Sequence, residues 1–265
     1  MIKHFRTGKH YHNYIHSCKP RYASLDTATH RTRPKGTIKV ITYNIKFSKN
    51  TRQALKLLAG HQDLGNAGII CLQEMDRQGV EFIANALKYN FVYYPAILHP
   101  RNNKDFGNAI LSKWPIIDDQ KIILPKLGTG ELQRIAVSAT LLIDNTKVTV
   151  FCVHMKMFVR THQRRIPIDR IIDSIKPSVK HSIVAGDFNT FSRSNCRAIL
   201  KPFKEADFQL ATGAIGWTYK YWYLLNKRAT LDHIFTRGMS VVNTGKVVNR
   251  IPSDHIPVWG ELKIN

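Results

Sequence analysis

With 265 residues, 43% of them apolar, the chain is long enough for one large domain with a buried core. Its 40 Lys and Arg against 18 Asp and Glu give a formal net charge of +22, which predicts polyanionic partners: nucleic acid, an anionic membrane surface, or both. No apolar run reaches the roughly 18 residues of a membrane span, and the N-terminus lacks the apolar core of a signal peptide. We therefore expect a monomer without a transmembrane segment, in the cytoplasm unless it is secreted.

The first 36 residues differ in composition from the rest, with eight Lys or Arg, five His and one acidic residue. They predict a basic, His-rich N-terminal arm or surface wrap, ahead of one domain that spans residues 37–265. The irregular His spacing argues against a metal-binding tract. The four Cys residues show no zinc-type spacing, and Cys71 and Cys152 fall in apolar strands.

Strands and helices alternate from residue 37 onward. Helices are predicted from Asn50 or Thr51 through Leu58, and over Arg77–Leu87, Ile168–Ile175 and Ser194–Leu200. Besides the apolar runs before Asn44 and Glu74, strands are predicted over Phe91–Tyr94, Ala109–Leu111, Lys121–Leu124, Ile135–Ile143, Lys147–Val153 and Ser182–Ala185, with three more after an aromatic loop. This alternation predicts two packed sheets flanked by helices.

Residues that suit a divalent metal or a phosphate stand at the ends of five predicted strands. They are Asn44, Glu74, His154, the pair Asp187 and Asn189, and the pair Asp254 and His255. Asp or Asn after a strand is commonly a turn former or a helix cap. Five such sites in one chain instead indicate a shared functional site, and Gly186 lets the chain turn beside Asp187 without a side chain in the way.

The segments that carry these residues have a characteristic order along the chain and characteristic local sequences. They are TYNIK at 42–46, LQEMD at 72–76, GNAILSKWPI at 107–116, VHMK at 153–156, GDFNT at 186–190, LDHIF at 231–235 and SDHIPV at 253–258. Together they resemble the endonuclease/exonuclease/phosphatase superfamily, which has the deoxyribonuclease I-like fold. The resemblance runs from about Ile38 to the C-terminus. It implies a four-layer α/β sandwich of two mainly antiparallel mixed sheets flanked by helices, with an active site at one end.

The same resemblance implies a metal-dependent phosphodiester hydrolase with Mg²⁺ as its cofactor and Mn²⁺ as the alternative. Glu74 would be the main metal ligand and Asn44 would support it, in keeping with the oxygen ligands that Mg²⁺ prefers. Asp187 would orient or deprotonate the attacking water. Asn189 would donate a hydrogen bond to the charge that develops on the phosphate.

A second group of expected residues surrounds His255. Asp232 of LDHIF would pair with His255, which either contacts the scissile phosphate or serves as the base; both roles remain open. Asp254 is a candidate second metal or water ligand, and His154 would donate to a phosphate oxygen. Two further candidates for phosphate binding are Arg134 and Asn108, for which an ordinary structural role is equally open; His233 is expected to point to the other face.

Differences from the motifs of one family branch narrow the range of expected substrates. QEMD and VHMK differ from the abasic-site endonuclease pattern and look more like the branch of nonspecific nucleases and sphingomyelinase-like enzymes. We expect an Mg²⁺-dependent endonuclease. The aromatic residues between Trp217 and Tyr223 either stack on bases or pack over the edge of the sandwich. The alternative is a phospholipid or sphingolipid phosphodiesterase, or a phosphatase, at an anionic membrane surface. A catalytically silent nucleic-acid-binding module fits less well, because every expected catalytic residue type is present.

Overall fold

A computed structural model of the chain describes residues 12–25, 36–100, 102–128, 132–221 and 227–265. The strands in this part of the chain are β1 Tyr22–Ser24, β2 Ile38–Asn44, β3 Ile69–Met75, β4 Asn90–His99, β5 Lys104–Ser112, β6 Ile116–Ile123, β7 Ile135–Ile143, β8 Thr146–His154, β9 His181–Asp187, β10 Gln209–Leu210, β11 Tyr219–Lys220, β12 Arg228–Ala229, β13 Asp232–Arg237, β14 Met239–Lys246 and β15 Val258–Ile264. The α-helices are α1 Thr51–Gly60, α2 Arg77–Leu87, α3 Arg165–Asp173 and α4 Arg193–Glu205.

Two large mixed sheets form the centre of the molecule. The first has the strand order β1-β4-β5-β3-β2-β15-β14, and the second has the order β10-β13-β9-β8-β7-β6. One apolar core, which includes Ile110 and Val150, fills the space between the sheets. A second core joins α1 and α2 to the outer face of the first sheet, and a third joins α3 and α4 to the outer face of the second. The predicted four-layer α/β sandwich is confirmed.

Strand direction and register bring the ends of both sheets to one edge of the sandwich. β2 and β3 run parallel with Asn44 beside Gln73, and β8 and β9 run parallel with His154 beside Asp187. β13 runs antiparallel to β9, so that its first residue, Asp232, lies opposite Asp187. Since carboxyl ends of parallel strands share an edge, the polar residues that follow them gather there.

The predicted elements occur, with longer bounds for several of them. α2 has the predicted limits because Asp76 caps it, accepting from the Gly79 N–H at 2.7 Å. The β7–β8 hairpin turns at Asp144 and Asn145, which both have left-handed φ values. α4 runs five residues beyond the predicted Leu200 because its last turn buries Phe203 against the second sheet. Among the described helices none is long and apolar enough to cross a membrane.

The described part of the predicted N-terminal arm lies on the domain. Tyr22–Ser24 adds β1 to the edge of the first sheet, and Arg21 forms an ion pair with Asp119 on β6 at 2.6 Å. The Lys121 ammonium donates to the Tyr14 carbonyl at 3.1 Å. Residues 12–25 therefore behave as a surface wrap; residues 1–11 and 26–35 lie outside the described residues.

Gly186 is the tightest backbone contact near the edge where the strand ends meet. A Cβ on this residue would overlap the carbonyl oxygen of Val153 on the neighbouring strand β8. We predict that Gly186→Ala lowers the free energy of unfolding by about 3 kcal/mol or more, because backbone rather than a flexible side chain must move. Gly213→Ala is the matched control, since its Cβ would meet Leu210 Cδ2 at an ordinary 3.5 Å. Urea unfolding of both variants measures the difference; equal midpoints would contradict the prediction.

Candidate active site

Asn44 and Glu74 end two neighbouring parallel strands and face the second sheet. A bulge between Leu72 and Met75 interrupts β3, and Glu74 within it has a left-handed φ of 58°. The Asn44 Nδ2 donates to Glu74 Oε1 at 3.3 Å and to Asp187 Oδ2 at 3.1 Å. The two carboxylates thus meet at a single amide group, and the expected proximity of Glu74 and Asp187 is confirmed.

Asp187, the last residue of β9, is buried between the two sheets with 1% of its surface exposed. Its Oδ1 accepts the backbone N–H of Asn189 at 2.9 Å. Its Oδ2 lies 3.5 Å from His154 Nε2 and 3.7 Å from His255 Nε2. Burial raises the pKa of Asp187 to about 7, against the lowering effect of the His255 charge. This carboxyl group therefore gains and loses its proton near neutral pH.

His255 is held by a buried carboxylate, as predicted. Its Nδ1 lies 2.9 Å from Asp232 Oδ2, and the Thr218 hydroxyl donates to the same oxygen at 2.6 Å. Burial alone would lower the pKa of His255, but the Asp232 and Asp187 carboxylates outweigh it and raise the pKa to about 10. The ring is an imidazolium at neutral pH, with Nε2 directed toward Asp187. The predicted His255–Asp232 hydrogen bond is confirmed.

Two further basic side chains lie over the carboxylates and differ in charge. Burial, reinforced by the Arg134 charge, lowers the pKa of His154 well below its ordinary value, so this ring is neutral. Burial also lowers the pKa of Arg134, while Glu74 and Asp187 act in the opposite direction. Among the described residues, Arg134 Nε and Nη1 have no hydrogen-bond partner, although the guanidinium sits 5.4 Å over the Phe106 ring. These buried N–H groups are therefore available to an incoming anion.

Asn189 is tied to the protein by its amide nitrogen. Nδ2 donates to the Met155 carbonyl at 2.8 Å and lies 3.4 Å from Asp187 Oδ2. The residue has a left-handed φ of 53°, and its backbone N–H closes a turn onto Asp187. In this structure Asn189 orients Asp187 and the loop at Met155, whereas the sequence predicted a donor to the phosphate.

Asn108, expected at the phosphate, lies between the two sheets. Its Nδ2 donates to the carbonyls of Ile135 at 3.0 Å and Cys152 at 3.4 Å. With 2% of its surface exposed, it joins β5 to β7 and β8. Both amide hydrogens are engaged by backbone, so the geometry gives no support to the expected substrate contact.

Asp254 lies at the rim of the site and is paired with a cation. Its Oδ2 is 2.7 Å from Lys46 Nζ. The preceding residue, Ser253, donates to the Asn44 carbonyl at 2.7 Å and accepts the His255 N–H at 3.2 Å. Ser253 thereby fixes the end of β2 to the segment that carries His255.

Two supporting residues, Thr218 and Ser253, are not among those predicted from the sequence. The hydroxyl of Thr218 also accepts the N–H groups of Leu231 and Asp232 at 2.9 and 3.1 Å, and Ser253 clamps the first sheet to the last segment. Ser253 could have been predicted, because it is the first residue of the SDH motif. Thr218 lies in the aromatic loop, where no pattern marks it. His233, expected to face away, is 2.8 Å from Thr190 Oγ1.

The family assignment follows from this geometry together with one comparison. A family model described as the Endonuclease/Exonuclease/phosphatase family matches residues 41–255, which include every strand end of the site. The chain belongs to this family. Its members are metal-dependent hydrolases that act on phosphodiester bonds, and the chain is an enzyme of that class.

Solved structures with the same fold come from several organisms. An endonuclease/exonuclease/phosphatase from Bacteroides vulgatus has a TM-score of 0.70 at 18% identity, covering 87% of this chain and 100% of that chain. TDP2 from D. rerio, complexed with a single strand DNA product, has a TM-score of 0.70 at 15% identity and coverages of 86% and 100%. The human Nocturnin catalytic domain with bound sulfate has a TM-score of 0.68 at 18% identity and coverages of 92% and 97%. A search of curated proteins gave no match.

The site of this family member suits a divalent cation at the Glu74 carboxylate. Burial raises the pKa of Glu74, with Arg134 and the Asn44 amide acting in the opposite direction. A cation would offset this buried negative charge. Asp187, Asp232 and His255 also place ligand atoms within 4.8 Å of one another. There, however, His255 is an imidazolium, and a doubly protonated ring has no lone pair for a metal.

The rate of this enzyme should depend on two titrations. Asp187 serves as a base only when deprotonated, so we predict that kcat/KM increases as pH rises through about 7. His255 donates only when protonated, so kcat/KM should decrease as pH rises through about 10. A pH–rate profile from about pH 5 to about pH 11 measures both limbs. A profile without the rising limb would exclude Asp187 as the base.

The Asp232–His255 pair gives a second prediction. Asp232→Asn removes the charge that raises the pKa of His255, so the falling limb should move to lower pH, toward the ordinary His value of 6.5. The rate at neutral pH should fall by about 10²-fold, the usual acid–base contribution. Asp118→Asn is the control, because Asp118 is 55% exposed on β6 and paired with Lys176. If Asp232→Asn leaves both rate and profile unchanged, His255 has no part in the reaction.

Proposed function

We propose that the protein is an Mg²⁺-dependent endonuclease that hydrolyses phosphodiester bonds of nucleic acid. One observation carries the proposal: a base, a buried cationic donor and an unpaired guanidinium converge on one edge of the sandwich. Asp187 titrates near neutral pH, His255 is cationic, and two buried nitrogens of Arg134 lack a partner among the described residues. Phosphodiester hydrolysis requires these three functions, because it needs an activated water and stabilisation of charge on the phosphate.

In the proposed reaction each side chain has a separate task. The Asp187 carboxylate takes a proton from the attacking water, and the Asn189 backbone N–H at 2.9 Å holds that carboxylate in place. The His255 Nε2–H donates to a phosphate oxygen, while Asp232 fixes the ring through Nδ1 at 2.9 Å. The Arg134 N–H groups bind a second phosphate oxygen.

Glu74 is the residue proposed to hold Mg²⁺, with Mn²⁺ as a substitute. Asn44 would contribute its side-chain oxygen after rotation of the amide, because Oδ1 now accepts the Lys46 N–H at 3.1 Å. Asp254, 2.7 Å from Lys46, is the candidate for an outer ligand or a water contact. When bound, the cation supplies Lewis-acid polarisation of a phosphoryl oxygen. His154, neutral and beside Asp187, is proposed to donate to the phosphate from Nε2.

Nucleic acid is the favoured substrate because cations surround this edge. Burial lowers the pKa of Lys156, and the charges of Arg134 and Lys126 lower it further. The three cations therefore lie close together. The chain carries a net charge of +22, and a polyanion binds such a surface by releasing counterions. A related fold, TDP2, has been solved with a single strand DNA product, which supports the same class of substrate here.

The assay for this proposal uses supercoiled plasmid and anionic phospholipid vesicles in parallel. We expect Mg²⁺-dependent nicking that a chelator abolishes, without lipid turnover. Glu74→Gln should reduce nicking by about 10²-fold or more, because the metal's main anionic ligand is lost. Glu81→Gln, at a half-buried helix residue paired with Arg77, is the control and should keep full activity.

Salt dependence is the second readout. If the protein contacts about six phosphates, a plot of log K for DNA binding against the logarithm of the salt concentration should have a slope of about −5. A slope near zero for DNA, together with vesicle binding and lipid turnover, would replace the endonuclease by a phospholipid or sphingolipid phosphodiesterase.

A further inference from the structure

A row of aromatic rings extends outward from His255. Tyr219 on β11 lies 5.0 Å from the His255 ring, between centroids, and Phe191 lies 6.4 Å from Tyr219. Phe158 then lies 6.3 Å from Phe191, with an angle of 8° between the two rings. Tyr221 packs beside Phe191 at 6.0 Å. The row therefore starts at the group proposed to bind the scissile phosphate and ends in solvent.

Phe158 is unusual for an aromatic residue on a protein surface. Its exposed fraction is 82%, the largest value among the exposed large apolar residues of the described chain. Its φ of 52° is a left-handed conformation that a bulky residue adopts at an energetic cost. Neither exposure nor strain contributes to folding, which points to a function for this ring.

The loop that carries Phe158 is fixed to the catalytic residues. Its first residue, Met155, donates its N–H to the Asp187 carbonyl at 2.8 Å and accepts from Asn189 Nδ2 at 2.8 Å. Behind the loop, a Cβ on Gly128 would lie 3.2 Å from the Phe158 carbonyl oxygen, so the two loops touch. Phe158 is thus held at a defined position relative to the site.

The surroundings of the row match a polyanion with planar groups. Lys156, Arg160 and Arg193 each stand two residues from Phe158 or Phe191, and the segments 155–168 and 188–204 contain no acidic residue. Bases present their flat faces to aromatic rings, and their phosphates require cations nearby. In a duplex these faces are covered by neighbouring bases, whereas in a single strand they are accessible.

We propose that Phe158, supported by Phe191, is a stacking platform for an unpaired base next to the scissile phosphate, so that the enzyme prefers single-stranded segments. This inference rests on the proposed nuclease function and specifies its substrate. The other two rings, Tyr219 and Tyr221, complete the wall between the platform and His255. Trp217 has Arg228 and Lys246 within 4.7 and 4.8 Å of its ring, and Trp222 and Tyr223 lie outside the described residues.

The test compares kcat and KM for a single-stranded oligonucleotide, the same sequence as a duplex, and the same strand with abasic residues. We expect Phe158→Ala to raise KM for the single strand about tenfold with little change in kcat, in line with the loss of one base–aromatic stack. Phe158→Trp should restore KM. The abasic strand should show a high KM with the wild-type enzyme and no further effect of Phe158→Ala.

Phe82→Ala is the matched control, because Phe82 is a 41% exposed residue of α2 on the outer face of the first sheet. If Phe158→Ala cleaves the single strand with unchanged KM, the proposed stacking role of Phe158 is wrong and the proposed nuclease function stands. If the wild-type enzyme cleaves none of the three substrates, the nuclease function itself is wrong. Loss of anionic-vesicle binding in Phe158→Ala, with unchanged KM for the oligonucleotide, would make the ring a membrane contact and overturn the inference.

Discussion

The site depends on one constraint, the burial of the Asp187 carboxylate where the two sheets meet. Its Oδ2 lies within 3.7 Å of nitrogens from Asn44, His154 and His255, which come from both sheets and from the last loop. A buried carboxylate without such neighbours would cost several kcal/mol. The surrounding groups reduce this cost without removing it, and the remainder appears as a pKa raised to about 7.

The charges around Asp187 are arranged so that adjacent imidazoles have opposite protonation states. His255 is kept cationic by Asp232, which is itself fully buried and hydrogen-bonded by Thr218. His154 has no carboxylate hydrogen-bonded to its Nδ1 in the described structure, and burial beside Arg134 keeps it neutral. The Asp232 carboxylate, on the Nδ1 side of the His255 ring, therefore makes His255 an acid. His154, in the same pocket, is a neutral hydrogen-bond donor.

Much of the fold and the identity of the site residues could be predicted from the sequence. The reason is that strand-end positions are encoded locally: an apolar run, a small residue and a polar residue, as at Gly186 and Asp187. Side-chain orientation is not encoded in this way. Whether the Asn189 amide faces a phosphate or the Met155 carbonyl depends on a loop 34 residues earlier in the chain. Of the two roles that the sequence left open for Asn108, the structural one depends on carbonyl partners on two strands of the other sheet, which no local pattern encodes.

Backbone strain separates the functional edge from the rest of the molecule. Left-handed φ values occur at Asp and Asn residues such as Asp144 and Asn145, and at the helix end Lys88, where their cost is low or the cap requires them. At the site they occur at residue types that resist them: Lys46, Phe47, Ser48, Glu74 and Phe158. Each such residue costs about 1–3 kcal/mol and persists only because its surroundings impose the conformation.

The hydrogen bonds around the site supply what imposes these conformations. The Lys46 N–H is held by Asn44 Oδ1 at 3.1 Å, and the Ser48 hydroxyl accepts the Asp76 N–H at 2.9 Å. The turn after β2 is thus fixed by its hydrogen bonds to Asn44 and Asp76. The bulge at Glu74 lies between Leu72 and Met75, which are both paired with β5. These fixed, strained segments hold the carboxylates in position for a cation and a phosphate.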